Sequence, residues 1–264
     1  MKKIVALLCA AMMAVALCAC SGSDKELVMA TNAEFPPYEF HEGDAIVGID
    51  VEIAQAIAEK LGRELVIEDM AFDSIIMAVQ SGKADIGVAG LTVRPDRLES
   101  VNFSTPYTTA AQVIIVKEGS DITTPDDLVG KRVGVQLGTT GDMYVGDIEG
   151  VVVERYNKGH EAVQALLQDK VDAVMIDSEP AKVFVSQNEG IVLVDEAFTY
   201  EEYAIAIAKD KTELLEEINA AIAELEASGE LQAIIDKYIT HNGIHPPFEI
   251  CVGHVLVHIV KCLK

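Results

Sequence analysis

From residue 26 to residue 194, short apolar runs alternate with segments of helical period, and this alternation most constrains what the chain can fold into. A strand, a covering helix and a second strand in the same direction make parallel sheet, so the sequence predicts an α/β fold with largely parallel sheets. Segments 26–30, 64–68 and 85–89 read as strands in the first half, and 132–136, 151–155 and 172–176 in the second. Segments 50–61, 72–81, 161–167 and 180–187 read as helices, the first stopped by Gly62, and Pro95 opens a further short helix at a position proline favours. Segments 107–116 and 192–207 are extended, apolar and long enough to run between two lobes. The stretch 212–239 is amphipathic and broken at Ser228-Gly229.

A weak internal repeat sharpens this. Ala78-Val-Gln-Ser-Gly-Lys-Ala-Asp-Ile-Gly-Val-Ala-Gly90 lies over Ala165-Leu-Leu-Gln-Asp-Lys-Val-Asp-Ala-Val-Met-Ile-Asp177, with Ala, Lys and Asp matching. The overlay sets Gly90 and Asp177 at the carboxyl ends of corresponding strands, where open α/β sheets bind ligands. Two similar lobes with facing binding edges are expected.

Charge and cysteine content exclude several functions. The 264 residues hold 43 acidic and 20 basic side chains, a net charge of −23. Such a surface repels phosphate backbones, so no nucleic-acid partner is expected, and it disfavours anionic lipid. Half the residues are hydrophobic, which excludes a disordered acidic tail. Cys9, Cys18, Cys20, Cys251 and Cys262 all lie near the ends, so no disulfide framework staples the body. The ends also dilute the charge: without Lys2, Lys3, Lys261, Lys264 and Glu249, 16 basic residues stand against 42 acidic ones.

Lys2 and Lys3 precede an apolar run at 4–17, short for a membrane span but right for a signal-peptide core. It ends in Leu17-Cys18-Ala19-Cys20, which resembles a bacterial lipoprotein box with cleavage before Cys20 and lipid on its sulfur; an ordinary secretory signal is the alternative. Ser21-Gly22-Ser23-Asp24 reads as a flexible tether.

Several motifs in fixed order carry a family resemblance. Ala30-Thr-Asn-Ala-Glu-Phe-Pro-Pro-Tyr-Glu-Phe40 is followed by Gly48-Ile-Asp-Val-Glu-Ile-Ala-Gln-Ala-Ile-Ala, Phe72-Asp-Ser-Ile-Ile, Ala89-Gly-Leu-Thr-Val-Arg-Pro-Asp-Arg97 and Asn102-Phe-Ser-Thr-Pro-Tyr107. Val133-Gly-Val-Gln-Leu-Gly-Thr-Thr140 and Ala173-Val-Met-Ile-Asp177 continue the series. Together, over about 26–239, the chain resembles the polar amino-acid solute-binding proteins of ABC importers. The resemblance implies a two-lobed, hinge-connected type II periplasmic-binding-protein fold with the ligand cleft between the lobes. It implies a signal peptide at 1–19, a lipidated cysteine and tether at 20–25, lobe one at 26–110, lobe two at 111–203, a return segment to lobe one at 204–240, and an atypical tail at 241–264. The implied partners are a free amino acid, the transmembrane permease subunits and, through the lipid anchor, the extracytoplasmic face of the membrane. A monomer with no cofactor and no metal is expected.

The site implied by the resemblance suits a zwitterion. Arg97 would take the carboxylate, because a guanidinium fork makes two parallel charge-assisted hydrogen bonds. Gly90 and Thr92 would add an N–H and a hydroxyl, with Thr139 and Thr140 doing likewise from the facing lobe. Asp177 would pair the ammonium, while Phe35 and Phe72 sandwich the aliphatic part and Asn32 touches the ligand's side chain. Each residue also has a plain structural reading: Arg97 as a solvated helix residue, Asp177 or Thr140 as an N-cap, the phenylalanines as core. Asn32 stands where relatives that bind basic amino acids tend to carry Asp, which favours a neutral polar ligand, with Glu34 a nearby compensating charge. Arg94 occupies an N-cap position before Pro95, where it caps poorly. The rival function is a cyclohexadienyl or arogenate dehydratase on the same scaffold, which would recruit Glu34 or Glu179 as acid or base.

Beyond residue 239 the resemblance ends. His241, His245, His254 and His258 are spaced i, i+4 in pairs, a pattern that can present zinc ligands on a helix. Residues 250–260 are β-rich and no Cys-x-x-Cys unit occurs, so no metal is expected there. A disordered extension, an added strand or a shifted reading frame remain open.

Overall fold

A computed structural model describes residues 25–239. The signal, Cys20 and the histidine-rich tail lie outside the described residues.

In chain order the strands begin with β1 (Glu26–Thr31), followed by the short β2 (Glu34–Phe35), β3 (Glu39–Glu42) and β4 (Ala45–Val47). Helix α1 (Ile49–Lys60) leads to β5 (Glu64–Asp69), a 3-10 turn at Phe72–Ser74, α2 (Ile75–Gln80) and β6 (Ile86–Gly87). Then come α3 (Pro95–Ser100), β7 (Val101–Phe103) and the long β8 (Thr108–Lys117). The second half runs β9 (Arg132–Gln136), α4 (Thr140–Gly146), β10 (Val152–Tyr156), α5 (Gly159–Leu167), β11 (Ala173–Asp177) and α6 (Ser178–Gln187). It closes with β12 (Ile191–Leu193), β13 (Thr199–Tyr203), β14 (Ala206–Ala208), α7 (Thr212–Ser228) and α8 (Glu230–Tyr238).

These strands form two main sheets. The first has the order β5-β1-β6-β14-β7, and the second β10-β9-β11-β8-β12, with β13 also pairing β8. In each, three strands are parallel and ordered second, first, third, as β5-β1-β6 and as β10-β9-β11, so each sheet has a switch point at the carboxyl end of the first strand of its trio, β1 or β9. The order is what apolar strands followed by one-sided helices produce. In α1, Ile49, Ile53 and Ile57 repeat every four residues and are fully buried, Asp50 and Glu52 sit in the first turn, and Lys60 in the last. In the second lobe, Ile114, Val133, Val135 and Met175 bury one face of the sheet against Val145 of α4.

The chain crosses between the sheets twice, at 104–107 and at 204–205, and the crossings are tied together. Ser104 N–H donates to the Ile205 carbonyl (2.9 Å), Ile205 N–H to the Ser104 hydroxyl (3.0 Å), and Tyr107 N–H to the Tyr203 carbonyl (2.9 Å). The extended segments 107–116 and 192–207 thus flank the crossings, but most of their length belongs to the second sheet through β8, β12 and β13.

Three local expectations shift. The helix anticipated at 72–81 begins as a 3-10 turn. The strand anticipated at 85–89 pairs only over Ile86–Gly87, because the chain then turns through Gly90 at φ +54. A Cβ there would meet the Phe35 and Tyr203 rings at 3.2 Å, so the turn needs glycine twice over. The break at Ser228-Gly229 is a left-handed residue joining α7 to α8.

Candidate functional site

The carboxyl ends of both sheets converge on one narrow cleft, lined by Asn32, Phe35, Phe72, Ala89, Gly90, Thr92, Gln136, Thr139, Thr140 and Asp177. Eight of the nine residues expected to bind ligand therefore meet in one place. Asn32 follows β1, Phe72 follows β5, Gly90 and Thr92 follow β6, Gln136 ends β9 and Asp177 ends β11. The switch points face each other so closely that Gln136 Nε2 donates to Asn32 Oδ1 across the cleft (3.0 Å).

The ninth, Arg97, lies buried behind the wall on α3. Its Nη1 donates to the Thr92 carbonyl (2.9 Å), its Nη2 to the Gly138 carbonyl across the cleft (3.2 Å), and its guanidinium sits 5.5 Å from the Phe72 ring centre. Burial, with Arg94 beside it, pulls the guanidinium down to about 10, a value at which it is still cationic at neutral pH. A solvated surface arginine would show none of this.

Asp177 occupies the N-cap position of α6, yet its side chain makes no cap bond. It turns into the protein, where Gln112 Nε2 donates to Oδ1. Burial, then the neighbouring Glu201, pushes this carboxyl well above its usual range. Glu201, on β13, is raised by its own burial, held against by donors. The Thr92 hydroxyl donates to Glu201 Oε2 (2.6 Å), and Gln112 Nε2 reaches the same oxygen (3.3 Å).

Several expected donors are engaged otherwise. Gly90 N–H, anticipated as a ligand donor, points to Asp50 Oδ2 (2.7 Å), and Tyr107 hydroxyl donates to Asp50 Oδ1 (2.9 Å). The helix cap anticipated at Thr140 falls on Thr139, whose hydroxyl accepts from Asp142 N–H (3.2 Å) and donates to the Gln136 carbonyl (2.8 Å). Thr92 spends its hydroxyl proton on Glu201. What these positions turn toward a ligand is chiefly lone pairs and backbone. Arg94 does not cap α3; it pairs with Asp96 (2.7 Å) and bonds the Thr139 carbonyl of the facing lobe (3.1 Å).

Sequence reasoning missed Glu201, Gln112, Gln136 and Asp50. Gln136 stood inside a quoted motif at a strand end, and Asp50 two residues after Gly48, so position alone pointed to both. Gly48 has φ +133, and a Cβ there would lie 2.1 Å from the Tyr38 carbonyl oxygen, so glycine alone lets α1 start close enough to bring Asp50 to Gly90. Glu201 sits between exposed neighbours in a β-rich stretch and carried no signal. Burial and Asp50 push Glu39 well up as well, so a second buried acid pair lies beneath the cleft near the crossings. Among the described residues no cluster of His, Cys, Asp and Glu is placed to hold a metal ion, and no helix is long and apolar enough to cross a membrane.

Two lobes joined by paired crossings, with a narrow polar cleft between them, define a protein built to hold a small polar solute. The chain belongs to the bacterial extracellular solute-binding proteins, family 3, whose model matches residues 27–241. It is 39% identical over 253 residues to the arginine-binding extracellular protein ArtP of Bacillus subtilis, covering 91% of this chain and 99% of that one. It is 33% identical to the L-cystine-binding protein TcyJ of Escherichia coli, covering 80% and 82%. An ancestral arginine-binding protein, 42% identical, has been solved bound to arginine (TM-score 0.79, covering 81% and 98%) and bound to glutamine (TM-score 0.78, covering 81% and 97%). These relatives are named for binding, not for catalysis.

Proposed function

We propose that the chain captures a free polar amino acid between its lobes and hands it to the transmembrane subunits of an ABC importer. One observation supports the reading: residues from the carboxyl ends of both sheets, Asp177 among them, line a single cleft, and Arg97 is buried behind its wall, where its fork holds the Thr92 carbonyl of one lobe and the Gly138 carbonyl of the other. A zwitterion brings a carboxylate and an ammonium, and each loses water on closure. Burying either without a partner is costly, so the closed form is favoured by a ligand that supplies both charges. Phe35 and Phe72 give the cleft apolar walls for the carbon chain.

The ligand's side chain points toward Asn32 and Gln136 in this reading. That end is neutral: two amides bonded to each other, with Glu34 just outside already paired with Lys158. A neutral polar side chain fits such chemistry, as does the glutamine bound by the ancestral relative.

The lobes are 26–110 with 204–240, and 111–203; β14 joining the first sheet and β13 the second supports the later bound, whereas β8 already pairs in the second sheet from Thr108, three residues before the earlier one. Closure is then a rotation about 104–107 and 204–205. Lipid on Cys20 tethers the receptor outside the cytoplasm, where it works as a monomer.

A thermal-shift screen of the chain from Ser21 onward against the twenty amino acids tests the reading. A true ligand at a hundredfold excess over Kd adds about 2.7 kcal/mol and raises Tm by several degrees. No shift with any amino acid would defeat it.

A further inference from the structure

At the outer end of the cleft the two lobes are joined by an ion pair to which the binding reading gives no role beyond neutral surroundings. Glu34 lies on β2, between the cleft residues Asn32 and Phe35, and its Oε1 accepts from Lys158 Nζ of the facing lobe. His160 Nδ1 stands 3.5 Å from the other oxygen. Lys158 follows Asn157, whose carbonyl accepts from Gln136 Nε2 (3.3 Å). The pair therefore lies close to the Asn32–Gln136 contact: Glu34 is two residues beyond Asn32, and Lys158 is one residue beyond Asn157, the second partner of Gln136. The Glu34 side chain is 24% exposed and that of Lys158 41%, so the pair borders the cleft without being sealed in it.

We propose that Lys158 is a specificity-determining residue, an internal cation that cancels Glu34 and biases the cleft against ligands with a second positive charge. This rests on the amino-acid-binding reading above. A cationic side chain passing Asn32 reaches Glu34 only by displacing Lys158, or else lies beside an ammonium of like charge. A neutral side chain meets neither cost. Selectivity here comes from a repulsive element as much as from an attractive one. Lys158 makes its local backbone bond through its N–H, to Glu161 (3.2 Å), so changing its side chain leaves the start of α5 intact.

Arginine and citrulline test this, being close in shape and differing by one charge. The readout is the ratio of citrulline Kd to arginine Kd, in which any general loss of stability cancels, measured by calorimetry at fixed pH and ionic strength. Against the wild-type chain, Lys158→Met should raise the ratio about tenfold, and Glu34→Gln should lower it by a similar factor. The double variant should return to within about threefold of wild type, because the two changes act through one pair. A ratio unmoved by Lys158→Met while both ligands bind overturns the role of Lys158 alone. A shift that persists in the double variant overturns it too, assigning the effect to general surface charge. A wild-type chain that binds neither these nor any of the twenty amino acids defeats the binding reading, and this inference with it.

Discussion

The two lobes are alike in strand order and unlike in what they hold at the same places. Each sheet runs second, first, third through its parallel strands and opens its switch point onto the cleft. The first strand of one leads to Asn32, and that of the other ends in Gln136, two amides that touch. Beyond those, symmetry stops. The first lobe contributes Arg97, a buried cation; the second contributes Asp177, a buried acid, with Glu201 behind it. The third strands repeat the contrast, since β6 ends early and turns through Gly90, while β11 runs on to Asp177. Topology fixes where side chains are offered, and the residue types there set a buried cation on one side and buried acids on the other.

Breaking the contrast from the first lobe should have the larger effect. Arg97→Ala removes the buried cation behind the wall and the charge that opposes Asp177 and Glu201, so ligand affinity should fall by about 4 kcal/mol, roughly a thousandfold. Arg97→Lys keeps the charge but loses the fork that holds the Thr92 and Gly138 carbonyls, and should recover only part of this. Calorimetry on both variants checks the order. From the second lobe, Asp177→Asn should cost about 3 kcal/mol in affinity. It should also raise Tm without ligand, because the mutation relieves two acids buried side by side. A variant that weakens binding and also lowers Tm would contradict the account of this pair.

Much of this contrast was legible in the sequence. The alternation gave both sheets, and the overlay of 78–90 on 165–177 placed Asp177 at a strand end and Gly90 at the turn three residues past one. Family motifs then selected Arg97 and Asp177 from many charged residues. What stayed hidden shares one physical cause: it depends on pairings between distant segments. Gly90 N–H looks free until α1 brings Asp50 to it over a separation of 40 residues. Glu201 looks solvated until β13 pairs β8 and turns it toward Thr92, 109 residues away. The cap fell on Thr139 rather than Thr140 because cap geometry resolves single residues and periodicity does not.

The crossings offer a subtler way to sharpen the comparison, since Asp50 ties the first lobe to Tyr107 at the hinge. Its carboxyl is raised from an ordinary 3.8 to about 6, chiefly by burial, with the Gly90 and Tyr107 donors opposing. An acid raised in the fold contributes stability that is fully present below its unfolded value and is lost as pH climbs through the folded one. From about pH 4 to about pH 6 the chain should therefore lose roughly 2–3 kcal/mol through this group. Asp50→Asn cannot titrate, so the Tm difference between wild type and variant should narrow, then turn in the variant's favour, as pH rises through that window. Parallel melts of the two proteins would show it, and curves that stay parallel across the window would remove Asp50 as the cause.

The smallest effect expected is at the rim. Arg94 crosses the cleft to the Thr139 carbonyl as Arg97 crosses to that of Gly138, so the two arginines make adjacent contacts of the same kind. They differ in setting. Arg97 is sealed beneath the wall, whereas Arg94 shares its guanidinium with Asp96, whose side chain is 59% exposed and screened by water. A screened pair is worth at most about 1 kcal/mol, so Arg94→Ala should weaken ligand binding no more than about fivefold. Arg94 also lowers the charge preference of Arg97 by repulsion, so its removal strengthens the buried cation and offsets part of the lost cross-cleft bond. The net change should shrink further as salt rises, while that of Arg97→Ala should hardly move, because burial shields it from counterions. Titrations of both variants at low and high salt separate the two arginines, and a large, salt-insensitive loss in Arg94→Ala would place it in the binding wall beside Arg97.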